Sequence, residues 1–133
     1  TFYTPVDRPE PEFNRRTVYR MNVNSGKDPL LDSFDCPDPS VKTPRRGVTT
    51  TPMQALELMN HSFIQRQATH LADRAMKTAN HDQPQAIKTV YRLALGRLPS
   101  ELELQRANEA VQQRGLFSVC WALFNSTEFL YVR

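Results

Sequence analysis

Seven of the chain's ten prolines lie within the first 50 residues, and that asymmetry divides what the two parts of the chain can become. Proline fixes φ, removes an amide donor and biases the preceding residue away from helix. At this density it denies residues 1–50 a long helix. The boundary is Thr49-Thr50-Thr51-Pro52. The three β-branched threonines favour extended backbone. Pro52 suits the first turn of a helix, where its missing N–H costs nothing. Thr51 is therefore the expected N-cap. Met53, Leu56, Leu58 and Met59 follow at helical spacing and predict an apolar face.

The front of the chain reads as an arm. Residues 4–13 hold three prolines and should be extended. Arg16 to Val23 has β-favouring residues with partial alternation. It lacks a convincing partner strand, so coil or an isolated bridge is expected. Asn24-Ser25-Gly26 is a turn. Pro29 to Phe34 can form one helical turn that buries Leu30, Leu31 and Phe34. Asp28, Asp32, Asp35 and Asp38 recur every three or four residues. A calcium loop would need a central glycine and a closing glutamate, which this stretch lacks. Turn formation and capping account for the aspartates, and no metal site is assigned.

The back of the chain is helical. Asn60-His61-Ser62 stops one helix and starts the next, with Asn60 or Ser62 as cap. Phe63, Ile64, Gln67, Leu71, Ala75 and Met76 form the predicted inner stripe of a second helix ending near Ala79. Pro84 opens a third, whose core residues are Ile87, Val90, Tyr91, Ala94 and Leu95, and Gly96 closes it. Ser100 and Glu103 make a capping box for a fourth. Leu104, Ala107 and Val111 face inward there, and Gly115 is its stop. Leu116 to Phe124 is apolar nearly all round and should be central and buried. Ser126 caps a last short turn.

Charge and motif content exclude more than they assign. The net charge is +3, and neither half of the chain concentrates the basic excess. No basic stripe is interleaved with aromatics, so nucleic-acid binding is unsupported. No apolar run approaches the roughly 20 residues of a membrane span. The phosphate-loop, dinucleotide and nucleophile-elbow motifs are missing. His61, His70 and His81 have neither helical-pair nor short-loop zinc spacing. Cys36 and Cys120 are too few and too far apart in sequence to establish a bridge. No catalytic residue is assigned.

Two arginine sets carry the remaining candidates. Arg45 and Arg46 precede the helix that Thr51 caps, and Arg15 and Arg16 lie further upstream. Together with Thr51 they form a candidate anion site, because free amides and the helix dipole favour negative charge. The competing reading is that these arginines bind the chain's own carboxylates and carbonyls as internal bolts. Separately, Arg97 is expected to pair with Glu128 as a structural ion pair, since charges withdrawn from water need partners.

Five ordered stretches support a family resemblance. They are PRRGVTTTPMQALELMN at 44–60, RRTVYR at 15–20, PLLDSFDCPD at 29–38, YRLALGRLPSELEL at 91–104 and ALFNSTEFLYV at 122–132. Together they resemble a planctomycete-type C-terminal domain of unknown function (fifteen-fifty-three), with departures at Cys36 and Ser62. The resemblance implies a piece of a larger, exported protein, in a periplasmic or extracytoplasmic setting. It also implies that any haem belongs to a cytochrome-c-like segment elsewhere, so no cofactor is expected within these residues. The implied partners are other domains of the same protein, or another protein.

These readings converge on a mainly α fold: one domain over 1–133, with an irregular proline-rich arm at 1–48 packed on a compact core of about five helices at 49–133. The expected function is a non-catalytic structural or interaction module. The alternative is an anion or carbohydrate-related ligand-binding or catalytic domain built on the arginine cluster.

Overall fold

The computed structural model describes residues 7–19, 26, 28–38, 40–42, 44, 45 and 51–131. Two single 3-10 turns, Pro11–Phe13 and Thr17–Tyr19, come first among the described residues. Seven helices follow among the described residues: α1 Pro29–Ser33, α2 Pro52–Asn60, α3 Ser62–Thr78, α4 Gln83–Leu95, α5 Glu101–Arg114, α6 Leu116–Phe124 and α7 Thr127–Leu130. No described residue is in a strand. Of Arg16 to Val23, where coil or an isolated bridge was expected, Thr17–Tyr19 form one exposed 3-10 turn, and residues 20–23 lie outside the described residues.

Local chemistry sets the helix boundaries. The Thr51 hydroxyl accepts from the Gln54 amide, and the Gln54 side chain accepts from the Thr51 amide, closing a capping box on α2. Ser100 and Glu103 do the same on α5. Asp28 caps α1, its Oδ1 accepting from the Leu30 amide at 3.0 Å. Gly96 ends α4 at φ 71°, a left-handed conformation that glycine adopts without a Cβ penalty. The α2–α3 junction corrects the sequence reading. The cap there is His61, whose Nδ1 accepts from the Phe63 amide at 3.2 Å, and not Asn60 or Ser62.

Helix α6 sits at the centre and touches α3, α4 and α5. The core joins Ala68, Ala72 and Ala75 of α3, Ala86, Ile87, Val90 and Tyr91 of α4, Ala107 of α5, and Leu116, Val119, Cys120 and Leu123 of α6. On α3 the fully packed line is alanine. Leu71 and Met76 flank it, while Phe63, Ile64 and Gln67 of the expected stripe are only half-buried. Small side chains let α3 approach its neighbours closely, so its buried face is set by size as much as by hydropathy. Helix α6 is not buried all round: Phe117 and Ala122 are exposed. Helix α1 packs on α2, α2 on α3, and α7 on α4 and α6. Leu30, Leu31 and Phe34 are half-buried at that periphery.

Candidate functional site

A densely connected polar group among the described residues is Arg97, just past the glycine that ends α4. Its Nε and one terminal nitrogen donate to Glu128 at 2.6 and 2.8 Å. Both terminal nitrogens donate to Glu103 at 2.9 and 2.7 Å. The Leu98 carbonyl accepts at 3.1 Å. Arg97 thus joins the α4 terminus, the α5 cap and α7 through two fork-shaped carboxylate contacts. Its guanidinium also lies 5.7 Å from the centre of the Tyr91 ring. Hydrogen bonds from Arg97 first, then from the Ser100 amide, hold Glu103 down at about 2. Arg97 lowers Glu128 as well. The Tyr91 hydroxyl is shifted upward, chiefly by burial and then by Glu103.

This arrangement consumes both carboxylates in ion pairing and leaves neither as a free general base. Solvent screening limits its contribution, since Arg97 is 39% and Glu128 50% exposed. Arg97→Ala is expected to lower Tm by about 3 °C at neutral pH. The sign with pH follows from the depressed Glu103. Its stabilisation is present above the ordinary glutamate range and is lost as pH falls toward about 2. The Tm gap between wild type and variant should therefore close on acidification through that window. A gap that stays constant down to pH 2 would contradict the assignment.

The arginines before α2 have a different fate. Arg15, Arg16 and Arg45 are exposed and form no ion pair among the described residues. Among the described residues Arg45 meets no carboxylate. Arg46 lies outside the described residues. The capping box already occupies the Thr51 and Gln54 amides that would have faced an anion.

A second clasp carried little sequence signal. The Asp7 carboxylate accepts from Arg66 at 2.7 Å and from the Ser62 hydroxyl at 2.7 Å, both at Oδ2, while Oδ1 takes the other Arg66 nitrogen. The hydrogen bond from Arg66 is the main cause of a lowered Asp7 carboxyl. Two residues separated by 59 positions cannot be matched by helical spacing. The one available hint was an arginine one turn after the helix start, on the same edge as Ser62.

Helix α2 presents a third feature. Gln54 and Leu58 are buried, whereas Met53, Leu56 and Met59 are 59%, 51% and 44% exposed. At 100° per residue the two sets lie on opposite sides of the helix. The polar side chain turns inward and three large apolar ones turn out, the reverse of the pattern for a surface helix. The far end of α2 is held in place by the bundle: the Trp121 indole N–H of α6 donates to the Met59 carbonyl at 3.2 Å.

The remaining candidates are separate from these groups. Cys36 is exposed and Cys120 buried, both as free thiols, and burial pushes Cys120 up to about 12. His70 and His81 are exposed. Among the described residues no three His, Cys, Asp or Glu side chains gather as a metal site, and no helix is long and apolar enough to cross a membrane.

Compared with known proteins, residues 3–111 match the family model described as PSD1, a protein of unknown function (DUF1553). No curated protein and no solved structure matches the chain.

Proposed function

The chain belongs to the PSD1 family of proteins of unknown function (DUF1553), and from that premise we propose that it acts as a non-catalytic interaction module. The observation that carries this reading is the outward apolar side of α2. Exposed apolar area is stabilised by burial, at roughly 25 cal/mol for each Å² removed from water. Three large side chains in a line on one short helix make a docking face of the helix-in-groove kind. The Trp121 hydrogen bond steadies the helix that bears it. The partner proposed is another domain of the same, larger protein. That protein is proposed to be an exported, cytochrome-associated one of the planctomycete type, with any haem held outside these residues.

The test uses a chain in which Met53, Leu56 and Met59 are all replaced by glutamine. Glutamine keeps good helix propensity, and exposed positions tolerate such changes. The isolated variant should keep its Tm within about 2 °C. Its association with the remainder of the larger protein, supplied as a separate polypeptide, should weaken about tenfold or more. Unchanged association would reject α2 as the docking face.

A second reading, an anion or carbohydrate-related ligand near the start of α2, draws on the exposure of Arg15, Arg16 and Arg45. Exposed guanidinium groups suit planar oxyanions. The filled capping box argues against it, because helix amides attract an anion only while they lack acceptors.

A further inference from the structure

We propose that the Ser62–Arg66 edge of α3 is a receptor for an aspartate-bearing peptide segment, and that residues 7–14 occupy it in cis as a displaceable strap. The site is built from groups one helical turn apart. Ser62 and Arg66 both reach the same carboxylate. Arg66 also donates to the Arg8 carbonyl at 3.3 Å, so the receptor reads a carboxylate and the backbone that follows it. One turn position further on, the Gln67 side-chain amide donates to Asn14 Oδ1 at 3.0 Å.

Two observations make the strap displaceable. It is held by polar contacts with little apolar burial: residues 8–19 are exposed, and neither 3-10 turn contains a buried residue. The Arg8 guanidinium lies 5.2 Å from the Phe13 ring of the same strap, so this cation–π contact does not tie the strap to the bundle. The Asp7–Arg66 pair itself keeps about a quarter of each side chain exposed, so solvent and salt still reach it. Moreover, Asp7 does not use all that Arg66 offers. The Arg66 Nε is buried and has no acceptor. A carboxylate approaching from the side of the guanidinium would satisfy that donor, which an end-on Asp7 cannot. Arg66 faces Asp7 across the clasp, and Glu10 lies near Arg66. This leaves Arg66 the dominant partner for an incoming anion.

This proposal rests on the interaction-module reading but concerns α3, so it can fail while the α2 test succeeds, and the reverse. The probe is a fluorescently labelled peptide of residues 7–14, DRPEPEFN, titrated against the full chain by anisotropy. Wild type should bind it weakly, because its own strap holds the site. Asp7→Asn should bind it about tenfold more tightly, as the competent fraction rises. Adding Arg66→Ala to Asp7→Asn should abolish that gain, as should a peptide with asparagine in place of its aspartate. If Arg66→Ala disturbs folding by circular dichroism, Arg66→Lys, which keeps charge but loses the fork, should reduce binding instead. Equal affinity for wild type and Asp7→Asn, retention after loss of the Arg66 fork, or no binding to any variant would each overturn the proposal.

Discussion

Ile87→Ala is expected to lower the unfolding free energy by about 3 kcal/mol. Ile87 is fully enclosed on α4 and, with Val90 and Cys120, is among the largest side chains with no exposure. The core it belongs to joins four alanines of α3 and α5 with Leu116, Val119, Cys120 and Leu123 of α6. Such a surround closes poorly around a void. Alanine has no rotamer to swing, and the backbones behind it are already close. The loss should therefore include a substantial cavity contribution on top of the transfer of the missing atoms. Leu93→Ala on the same helix serves as the comparison, since Leu93 is exposed. It should change stability by no more than about 0.5 kcal/mol. Urea titration with equal slopes gives both values. Equal costs at the two positions would mean that the α4 face is assigned the wrong way round.

How far these arrangements could be read from sequence depended on range. Capping is local. A threonine before proline, a serine three residues before glutamate, and a glycine after an apolar helix each act within one turn, so α2, α4 and α5 were bounded from the residues alone. The mainly α bundle follows from the same local signals. His61 was missed because imidazole is a rarer cap than Asn or Ser, yet its Nδ1 can accept as they do. The orientation of α2 was not legible. The sequence reading put Met53, Leu56, Leu58 and Met59 on one apolar face, but Leu58 turns inward and the other three turn out. Gln54, which closes the capping box, shares the inner side with Leu58. The Asp7–Arg66 clasp and the Trp121–Met59 hydrogen bond span 59 and 62 residues, and nothing in local pattern fixes such partners. Arg97 was legible as an ion-pair centre with Glu128. Its second carboxylate, Glu103, was hidden by having a nearer task as the α5 cap.

Ala75→Leu tests the other side of the core, and a cost of about 3 kcal/mol is expected. Ala75 and Ala68 have no exposure and Ala72 very little. They form the line along which α3 meets α4 and α6. A leucine there adds three heavy atoms at a close helix approach, and no neighbouring alanine can yield. The space can come only from moving α3 away from its partners. Ala55→Leu on the exposed side of α2 supplies the control and should lie within about 0.5 kcal/mol of wild type. The mechanism makes a sharper prediction for the pair. If each leucine acts by separating the same helices, Ala68→Leu with Ala75→Leu should cost less than the sum of the two single changes. The first displacement opens room that the second side chain then uses, and neighbours that share a backbone shift are not additive. Strict additivity in urea titration would instead mean that each site yields locally, and that the alanine line does not set the distance between α3 and the centre of the bundle.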